Sequence, residues 1–285
     1  MITGVTLVDY NERYSTKEFL YRRFSKTVFP FILWSLLAFS YLSVNGKIVD
    51  YSLKNIINSL INTQFNSFYW FFIPLFSIYL SLPFISAIPK EKRKSAFGYG
   101  IVIYMLFNSL FPFLFSLLEM NYNNSLSIPI LSGYIIFVLI GYWIDNYDLS
   151  RTQRKIIYIL GCIGLFSHII GTWYFSYEIG DVSRLFKGYL NIPSILFSVS
   201  IFTLFRYSKI HIQIFIARIT DFFSQVTFGI YLSHWFIIQY IVNNTSIQRT
   251  SIVYRTFGSV VIFLLCSIIT KLLQKIPLIN KIVPR

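Results

Sequence analysis

Eight apolar runs of about twenty residues constrain this chain more than any other feature of its sequence. A helix needs about 20 mostly apolar residues to cross the hydrocarbon core of a bilayer. The runs cover residues 27–44, 69–88, 97–118, 126–144, 155–177, 188–205, 222–242 and 256–273. Backbone groups in lipid must be satisfied internally, so each run is predicted to be helical. The sequence therefore predicts an all-α polytopic membrane helix bundle with eight transmembrane helices, built as a single integral membrane domain over residues 1–285.

The composition agrees with a membrane protein and argues against several other classes. Hydrophobic residues make up 55% of the 285 and charged residues only 13%, whereas a water-soluble domain carries about 25% charged residues. That deficit excludes a soluble enzyme, a disordered chain and a coiled coil. Phe, Tyr and Trp account for 20% of the chain, which is typical of helices in lipid with aromatic side chains at the interfaces.

Familiar motifs of soluble enzymes are absent from the sequence. There is no Walker loop, no GxSxG elbow, no HExxH and no CxxC, so an ATPase, a soluble-type hydrolase and a metalloprotease are not supported. Cys162 and Cys266 lie inside apolar runs and have no metal-ligand spacing. The sequence therefore predicts no metal site and no bound cofactor.

The basic residues are concentrated in alternate loops. If the N-terminal segment is cytoplasmic, the inner loops carry 19 of the 25 lysines and arginines and the outer loops carry 6. The inner segments are 1–26, 89–96, 145–155, 206–221 and 271–285. This asymmetry is a positive-inside signal. It predicts a multi-pass cell membrane protein with both termini in the cytoplasm, compatible with a bacterial source. It also explains the net charge of +14 without nucleic acid as a partner.

The longest outer loop, 45–68, is predicted to hold an amphipathic interfacial helix.

A basic cluster stands directly before the first apolar run. It consists of Arg22, Arg23 and Lys26. Arginine pairs bidentately with phosphate and lysine supplies a point charge, so a cytoplasmic phosphorylated donor such as a coenzyme A thioester could dock here. The alternative is a topology anchor that also binds the headgroups of anionic membrane lipid. On the residues alone, both interpretations stay open.

Polar side chains recur along one face of run 222–242. Ser224, Thr227, Tyr231 and His234 stand at i, i+3, i+7 and i+10, which places them together on a helix. His234 lies roughly 18 Å from the cytoplasmic end of the run. An ionisable side chain at that depth is expected to face the bundle interior or a wet cavity. It could act as general base for a hydroxyl acceptor, or it could be a neutral histidine bonded to a neighbouring hydroxyl.

A second intramembrane histidine has a different neighbourhood. His168 shares one helix side with Gly161 and Gly164. Small residues allow helices to approach closely. The sequence therefore favours helix packing over chemistry at this position.

Three motifs follow one another along the sequence. Residues 21–34 (YRRFSKTVFPFILW) form a basic stretch followed by P-x-x-x-W. Residues 69–83 (YWFFIPLFSIYLSLP) contain W-F, Y-L and P in that order, and residues 228–234 (FGIYLSH) contain G-I-Y-L-x-H. Together the three motifs resemble the acyltransferase 3 family, in which the first of them opens the third helix, and the closest likeness is to its bacterial surface-polysaccharide O-acetyltransferase branch.

The resemblance implies an activity and a set of site residues. The family transfers an acyl group, usually acetyl from acetyl-CoA as co-substrate, to a surface glycan or its lipid-linked precursor. Arg22, Arg23 and Lys26 would hold the acyl-CoA donor, although the family pattern often has arginine where this chain has Lys26. The leading hypothesis adds roles that come from the residues themselves: Trp70 and Tyr231 would bind substrate, and His234 would be the catalytic side chain in the absence of the family's first-helix histidine. The alternative from another class is a non-catalytic membrane protein, either a glycan-lipid transporter or an envelope-assembly partner.

The chain also departs from the family pattern. The family core has ten helices where this sequence predicts eight, and Met1-Ile-Thr-Gly4 resembles the end of the second helix. The resemblance thus implies that the first helix and part of the second are missing, together with a signature arginine and the histidine regarded as the catalytic base. Either the start site is misassigned or the gene product is truncated, and the resemblance leaves open whether the chain as given is active. Phe68, two residues before Trp70, replaces a frequent histidine.

Overall fold

The computed structural model describes residues 1–48, 50–127, 129, 133–208, 214–245, 250–277 and 279–284. Within these ranges the regular structure is helical and contains no strand, which confirms the all-α prediction. The α-helices of the described ranges are α1 (Ile2–Leu7), α2 (Thr16–Val44), α3 (Leu53–Ile61), α4 (Phe72–Ser86), α5 (Lys90–Tyr104), α6 (Phe111–Leu117), α7 (Ile135–Asn146), α8 (Arg151–Ile179), α9 (Ile192–Tyr207), α10 (Ile214–Asn244) and α11 (Ser259–Leu273). Helix α3 lies in the loop predicted to contain a helix and is capped by the Ser52 hydroxyl.

Five helical segments of the described residues are long and apolar enough to cross a membrane. They are Thr16–Val44, Ser67–Ser86, Lys90–Leu117, Arg151–Ile179 and Tyr254–Leu273. Each contains or overlaps one of the eight predicted runs. The third continues from α5 to α6 through a π-helical turn, Met105–Leu110. Pro112 follows this turn and has no amide hydrogen to donate, which explains the irregular hydrogen bonding.

The predicted count of eight spans is not confirmed. Helices α7 and α9 have 12 and 16 residues, which is short for a membrane crossing. Helix α9 begins only after Asn191 because Pro193 favours the first helical turn. Helix α10 has 31 residues, but its glutamines and histidine make it less apolar than the five segments above.

The described residues group into two compact units. The first comprises residues 1–16 and 78–210, and the second comprises residues 17–77 and 211–285. The grouping does not decide whether residues 1–285 form a single membrane domain, which stays a prediction.

The first unit is built on close packing between α8 and α9. A Cβ atom on Gly161 would lie 2.1 Å from the Ser200 Oγ atom, and one on Gly164 would lie 2.5 Å from the Pro193 carbonyl oxygen. Neither position has room for a side chain, which confirms the predicted role of these glycines. His168 lies at the same interface, where its Nδ1 atom is 3.4 Å from the Ser194 hydroxyl.

The opposite side of α8 is apolar and exposed. Ile159, Ile163 and Phe166 are each more than half exposed. A row of large apolar side chains on the outside of a helix is unfavourable in water and expected in lipid. This surface agrees with a membrane protein.

A buried arginine connects the elements of the first unit. Arg93 is 2% exposed and donates to the backbone carbonyls of Ser86 and Ile88. Its guanidinium also donates to the Asp9 carboxylate and to the Tyr142 hydroxyl. A buried charge is tolerated when it is paired and its donors are satisfied. Arg93 therefore has a structural role at the turn between α4 and α5.

The second unit has an aromatic core that includes the C-terminal segment. Its fully or largely buried members are Phe31, Trp34, Tyr69, Phe72, Leu232 and Val283. They come from α2, from the turn before α4, from the first residue of α4, from α10 and from the segment after α11. The indole Nε1 of Trp34 donates to the Ile282 carbonyl oxygen at 3.2 Å. The C-terminal segment is therefore packed between helices of this unit.

Candidate functional site

The imidazole of His234 has a defined orientation on α10. Its Nδ1 atom lies 2.7 Å from the Tyr231 carbonyl oxygen and 3.2 Å from that of Ile230. A carbonyl oxygen only accepts hydrogen bonds, so Nδ1 carries a proton and donates to these carbonyls. Nε2 is therefore the ring nitrogen that remains for other contacts.

His234 borders a cavity of about 350 Å³ in the second unit. Tyr254, Arg255 and Ser259 contribute polar atoms from the π-helical turn Tyr254–Gly258 and the start of α11. The remaining lining is apolar and consists of Ile230, Ile238, Ile262 and Phe263. The Tyr254 hydroxyl is buried and has no hydrogen-bond partner among the described residues. We refer to this cavity as the histidine pocket.

The turn before α4 contacts α10 next to His234. Phe68 places its ring edge against the imidazole, with the ring centroids 4.9 Å apart. The Tyr231 hydroxyl donates to the Phe68 carbonyl oxygen, and the Tyr69 hydroxyl donates to the Leu232 carbonyl oxygen at 2.6 Å. These bonds hold the turn Ser67–Phe71 against the helix that carries His234.

Trp70, the predicted substrate-binding residue, belongs to the same turn. It is 37% exposed, and its ring meets Phe71 edge-on with the centroids 6.0 Å apart. The contact between Phe68 and His234 was not foreseen from the sequence. The available signal was the position of Phe68, directly before the stretch 69–83 that resembles a family motif.

The other polar residues of the predicted stripe are arranged differently. Ser224 and Thr227 are exposed, and their hydroxyls donate to the carbonyl oxygens of Asp221 and Phe223 on their own helix. Tyr231 and His234 are half-buried. The buried part of the stripe is therefore limited to the last two positions.

A second cavity, of about 840 Å³, lies beside the basic cluster of α2. Its lining is Tyr21, Ser25, Lys26, Phe29, Gln274, Asn280 and Pro284. We refer to it as the lysine cavity. Its walls come from α2, from the residue that follows α11 and from the C-terminal segment, all of which belong to the second unit.

The three predicted basic residues occupy different environments. Lys26 lines the lysine cavity. Arg22 forms an ion pair with Glu18 at 2.6 Å, one helical turn earlier, and both side chains are about half exposed. The guanidinium of Arg23 lies 5.9 Å from the centroid of the Phe19 ring. The structure thus places Lys26 at a cavity, while both arginines contact residues of their own helix.

A polar network joins the lysine cavity to α10. The Lys271 ammonium donates to the Gln225 Oε1 atom at 3.1 Å, and the Gln225 amide donates to Asp221 at 3.0 Å. The Gln274 amide donates to the Gln225 carbonyl oxygen at 3.0 Å. His234 follows Gln225 by nine residues, or about 14 Å along the helix axis. Residues of the same helix therefore contact the wall of the lysine cavity and border the histidine pocket.

The comparisons with known proteins identify the family. A family model described as an acyltransferase domain matches residues 1–271. This chain belongs to the acyltransferase 3 family. The match confirms the resemblance carried by the three motifs. Together with the five long apolar helices, membership of this family supports a membrane acyltransferase.

The other comparisons add nothing to this assignment. No curated protein and no solved structure matches the chain. The family match ends at Lys271, so Gln274, Asn280 and Pro284 of the lysine cavity lie beyond it.

Proposed function

We propose that this member of the acyltransferase 3 family is a membrane-bound O-acyltransferase. It moves an acyl group, in our proposal acetyl, from acyl-CoA to a hydroxyl of a cell-surface polysaccharide or its lipid-linked precursor. The observation that carries the proposal is the family match over residues 1–271. The geometry of His234 supports it, because the bonds of Nδ1 to backbone carbonyls orient the ring and leave Nε2 as the nitrogen that a general base would use.

The proposed step transfers one proton and one acyl group. His234 Nε2 takes the proton of the acceptor hydroxyl while the hydroxyl oxygen attacks the thioester carbonyl carbon. The new C–O bond forms, the C–S bond breaks, and the coenzyme A thiolate leaves. The imidazolium then returns the proton to the thiolate sulfur, so the protein is unchanged at the end of the cycle.

The donor would occupy the lysine cavity. Lys26 lines it, and Arg22 and Arg23 stand on the adjacent surface of α2, where a phosphorylated co-substrate would meet all three positive charges. The positive-inside asymmetry supports a cytoplasmic position for this end of α2, which is where acyl-CoA is made. Holding the donor in one orientation lowers the entropic part of the barrier.

The acceptor would meet the donor's thioester at the histidine pocket. Arg255 and the Tyr254 hydroxyl offer donors to acceptor oxygens there, and the mostly apolar walls limit access of water. Tyr231 fixes the turn Ser67–Phe71, and the exposed ring of Trp70 on that turn offers a flat surface for a sugar. Surrounding membrane lipid completes the environment of a multi-pass protein.

The test is transfer of labelled acetyl in membranes that contain the full chain. Acetyl-CoA labelled in the acetyl group is added, and label is measured in the isolated glycan and glycolipid fractions. We expect label above that of membranes without the chain, and loss of this increment with His234→Ala. Absence of the increment with the unsubstituted chain would overturn the proposal.

A further inference from the structure

The C-terminal segment of the chain is a folded part of the second unit. Val283 is fully buried in the aromatic core, and a Cβ atom on Gly229 of α10 would lie 2.5 Å from its Cγ1 atom. The Trp34 indole donates to the Ile282 carbonyl oxygen. These contacts fix the segment that supplies Asn280 and Pro284 to the lysine cavity.

Gln274 lines this cavity and has a buried acceptor atom without a partner in the described part of the chain. The residue is 4% exposed and is part of the cavity lining. Its Nε2 atom donates to the Gln225 carbonyl oxygen at 3.0 Å. Since a carbonyl oxygen cannot donate, this bond fixes which end of the amide is nitrogen and which is oxygen. Oε1 has no hydrogen-bond partner within the described ranges.

A buried acceptor without a donor is unusual in a folded protein. Most buried polar atoms are paired, and an unpaired one costs stability unless a ligand or water pairs with it. Lys26 lines the same cavity. Its ammonium group is a donor and requires an anionic group of the ligand as its partner. The two side chains together therefore suit a ligand that carries both an anionic group and an N–H donor.

We propose that Gln274 is a specificity-determining residue for the co-substrate. Lys26 binds a phosphate of the ligand, and the Gln274 Oε1 atom accepts an N–H of the same molecule. The inference rests on the proposed function for the identity of the ligand as acyl-CoA. It goes beyond the family match, because that match ends before Gln274. The residues that follow α11 then determine which phosphorylated donor is accepted.

Coenzyme A offers N–H groups of two kinds. One is the amino group of adenine, and the others are the amides of the pantetheine arm. ADP carries phosphates and the adenine amino group, whereas 4′-phosphopantetheine carries a phosphate and the amides. Binding of these two compounds distinguishes the two sources of the hydrogen bond.

The experiment measures the affinity of the full chain in detergent for coenzyme A, ADP and 4′-phosphopantetheine by titration calorimetry. We expect Gln274→Met to weaken coenzyme A binding roughly five- to tenfold, the loss of one buried hydrogen bond. The same substitution weakens either ADP or 4′-phosphopantetheine, whichever supplies the N–H, and leaves the other unchanged. Lys26→Ala weakens all three compounds.

Two further variants keep the result interpretable. Lys275→Ala removes an exposed lysine next to Gln274 and is expected to leave coenzyme A affinity unchanged. Gln274→Asn keeps an amide but withdraws its oxygen from the cavity, and it decides the question if Gln274→Met does not fold. Unchanged affinity for all three compounds in a folded Gln274 variant overturns the inference, as does an equal effect of Lys275→Ala and Lys26→Ala.

The inference and the proposed function fail in different ways. If the unsubstituted chain transfers labelled acetyl but coenzyme A affinity is insensitive to Gln274, only the inference is wrong. If Gln274 and Lys26 control binding of the three compounds and no acetyl is transferred, the proposed function is wrong and the binding site stands.

Discussion

The lysine cavity, whose wall residue Gln274 is bonded to α10, and the histidine pocket, which α10 borders, differ in volume and in the polarity of their lining. The first has about 840 Å³ and is lined by an ammonium, two amides and hydroxyls. The second has about 350 Å³ and mostly aliphatic and aromatic walls around one imidazole. A charged nucleotide is recognised by polar groups, whereas proton transfer and electrostatic stabilisation gain from excluding water. In our proposal, the first cavity recognises the donor and the second carries out the chemistry.

The largest effect is expected from the histidine pocket. His234→Ala removes the proposed general base and should lower kcat/KM for acetyl transfer by roughly 10²- to 10⁴-fold. Binding of coenzyme A should not change, because the substitution is far from the lysine cavity. Steady-state transfer rates and calorimetry test the two statements separately.

The matched control for this substitution is Ser224→Ala. Ser224 stands on the same helix, but its exposed hydroxyl bonds only its own backbone in the described structure. We expect its kcat/KM to stay within about twofold of the unsubstituted chain, since exposed substitutions of this kind have small effects. If both variants lose the same activity, His234 has no special role.

The next effect concerns the lysine cavity. Lys26→Ala should raise KM for acetyl-CoA roughly tenfold with little change in kcat, because it removes a hydrogen bond between charged groups. Arg22→Ala should raise KM less, since Glu18 already neutralises that guanidinium. Initial rates at varied acetyl-CoA measure both. A larger KM effect from Arg22→Ala would contradict the assignment of the cavity.

A smaller effect is expected where the turn before α4 meets His234. Phe68→Ala removes the ring edge that contacts the imidazole, and an aromatic contact of this kind contributes about 0.5–1.5 kcal/mol. We expect kcat to fall roughly two- to tenfold with KM for acetyl-CoA unchanged. Phe68→Tyr keeps an aromatic ring at this position and is the conservative control. If only KM for acetyl-CoA changes, Phe68 affects donor binding in the lysine cavity and not the step at His234, and the assignment is contradicted.

The smallest effect is on stability. Trp34→Phe removes the donor to the Ile282 carbonyl oxygen and should lower the free energy of unfolding by about 1 kcal/mol. Thermal unfolding in detergent measures the shift. Trp173→Phe, at a residue that is 69% exposed on α8, should leave the midpoint nearly unchanged. Equal shifts would show that the C-terminal segment is not held by Trp34.

The local parts of this arrangement could be predicted from the sequence. The spacing of Tyr231 and His234 predicted that they share a helix face, and Gly161 and Gly164 predicted close packing. Both are local periodicities of an α-helix. The ion pair between Arg22 and Glu18 was also readable in principle, because an i, i+4 pair of opposite charge is a recognised pattern.

The rest depended on contacts between distant parts of the chain. The bond between Trp34 and Ile282 joins residues 248 positions apart, and no local pattern marks such a pair. Gln274 belongs to no motif, and the orientation of its amide is set by the bond to the distant Gln225 carbonyl oxygen. The lengths of α7 and α9 also escaped prediction, since apolar composition does not reveal where turns such as the one at Gly133 interrupt a run.

The most direct test of the account supplies the donor from one side of the membrane at a time. Membrane-impermeant labelled acetyl-CoA is added to sealed vesicles of either orientation that contain the full chain, and label in the glycan and glycolipid fraction is measured. We predict label only in vesicles whose external face is the original cytoplasmic face, because the positive-inside asymmetry predicts that Lys26 lies there. If labelling requires acetyl-CoA on the opposite face, the proposal that the donor binds in the lysine cavity from the cytoplasm and reacts at the histidine pocket is contradicted.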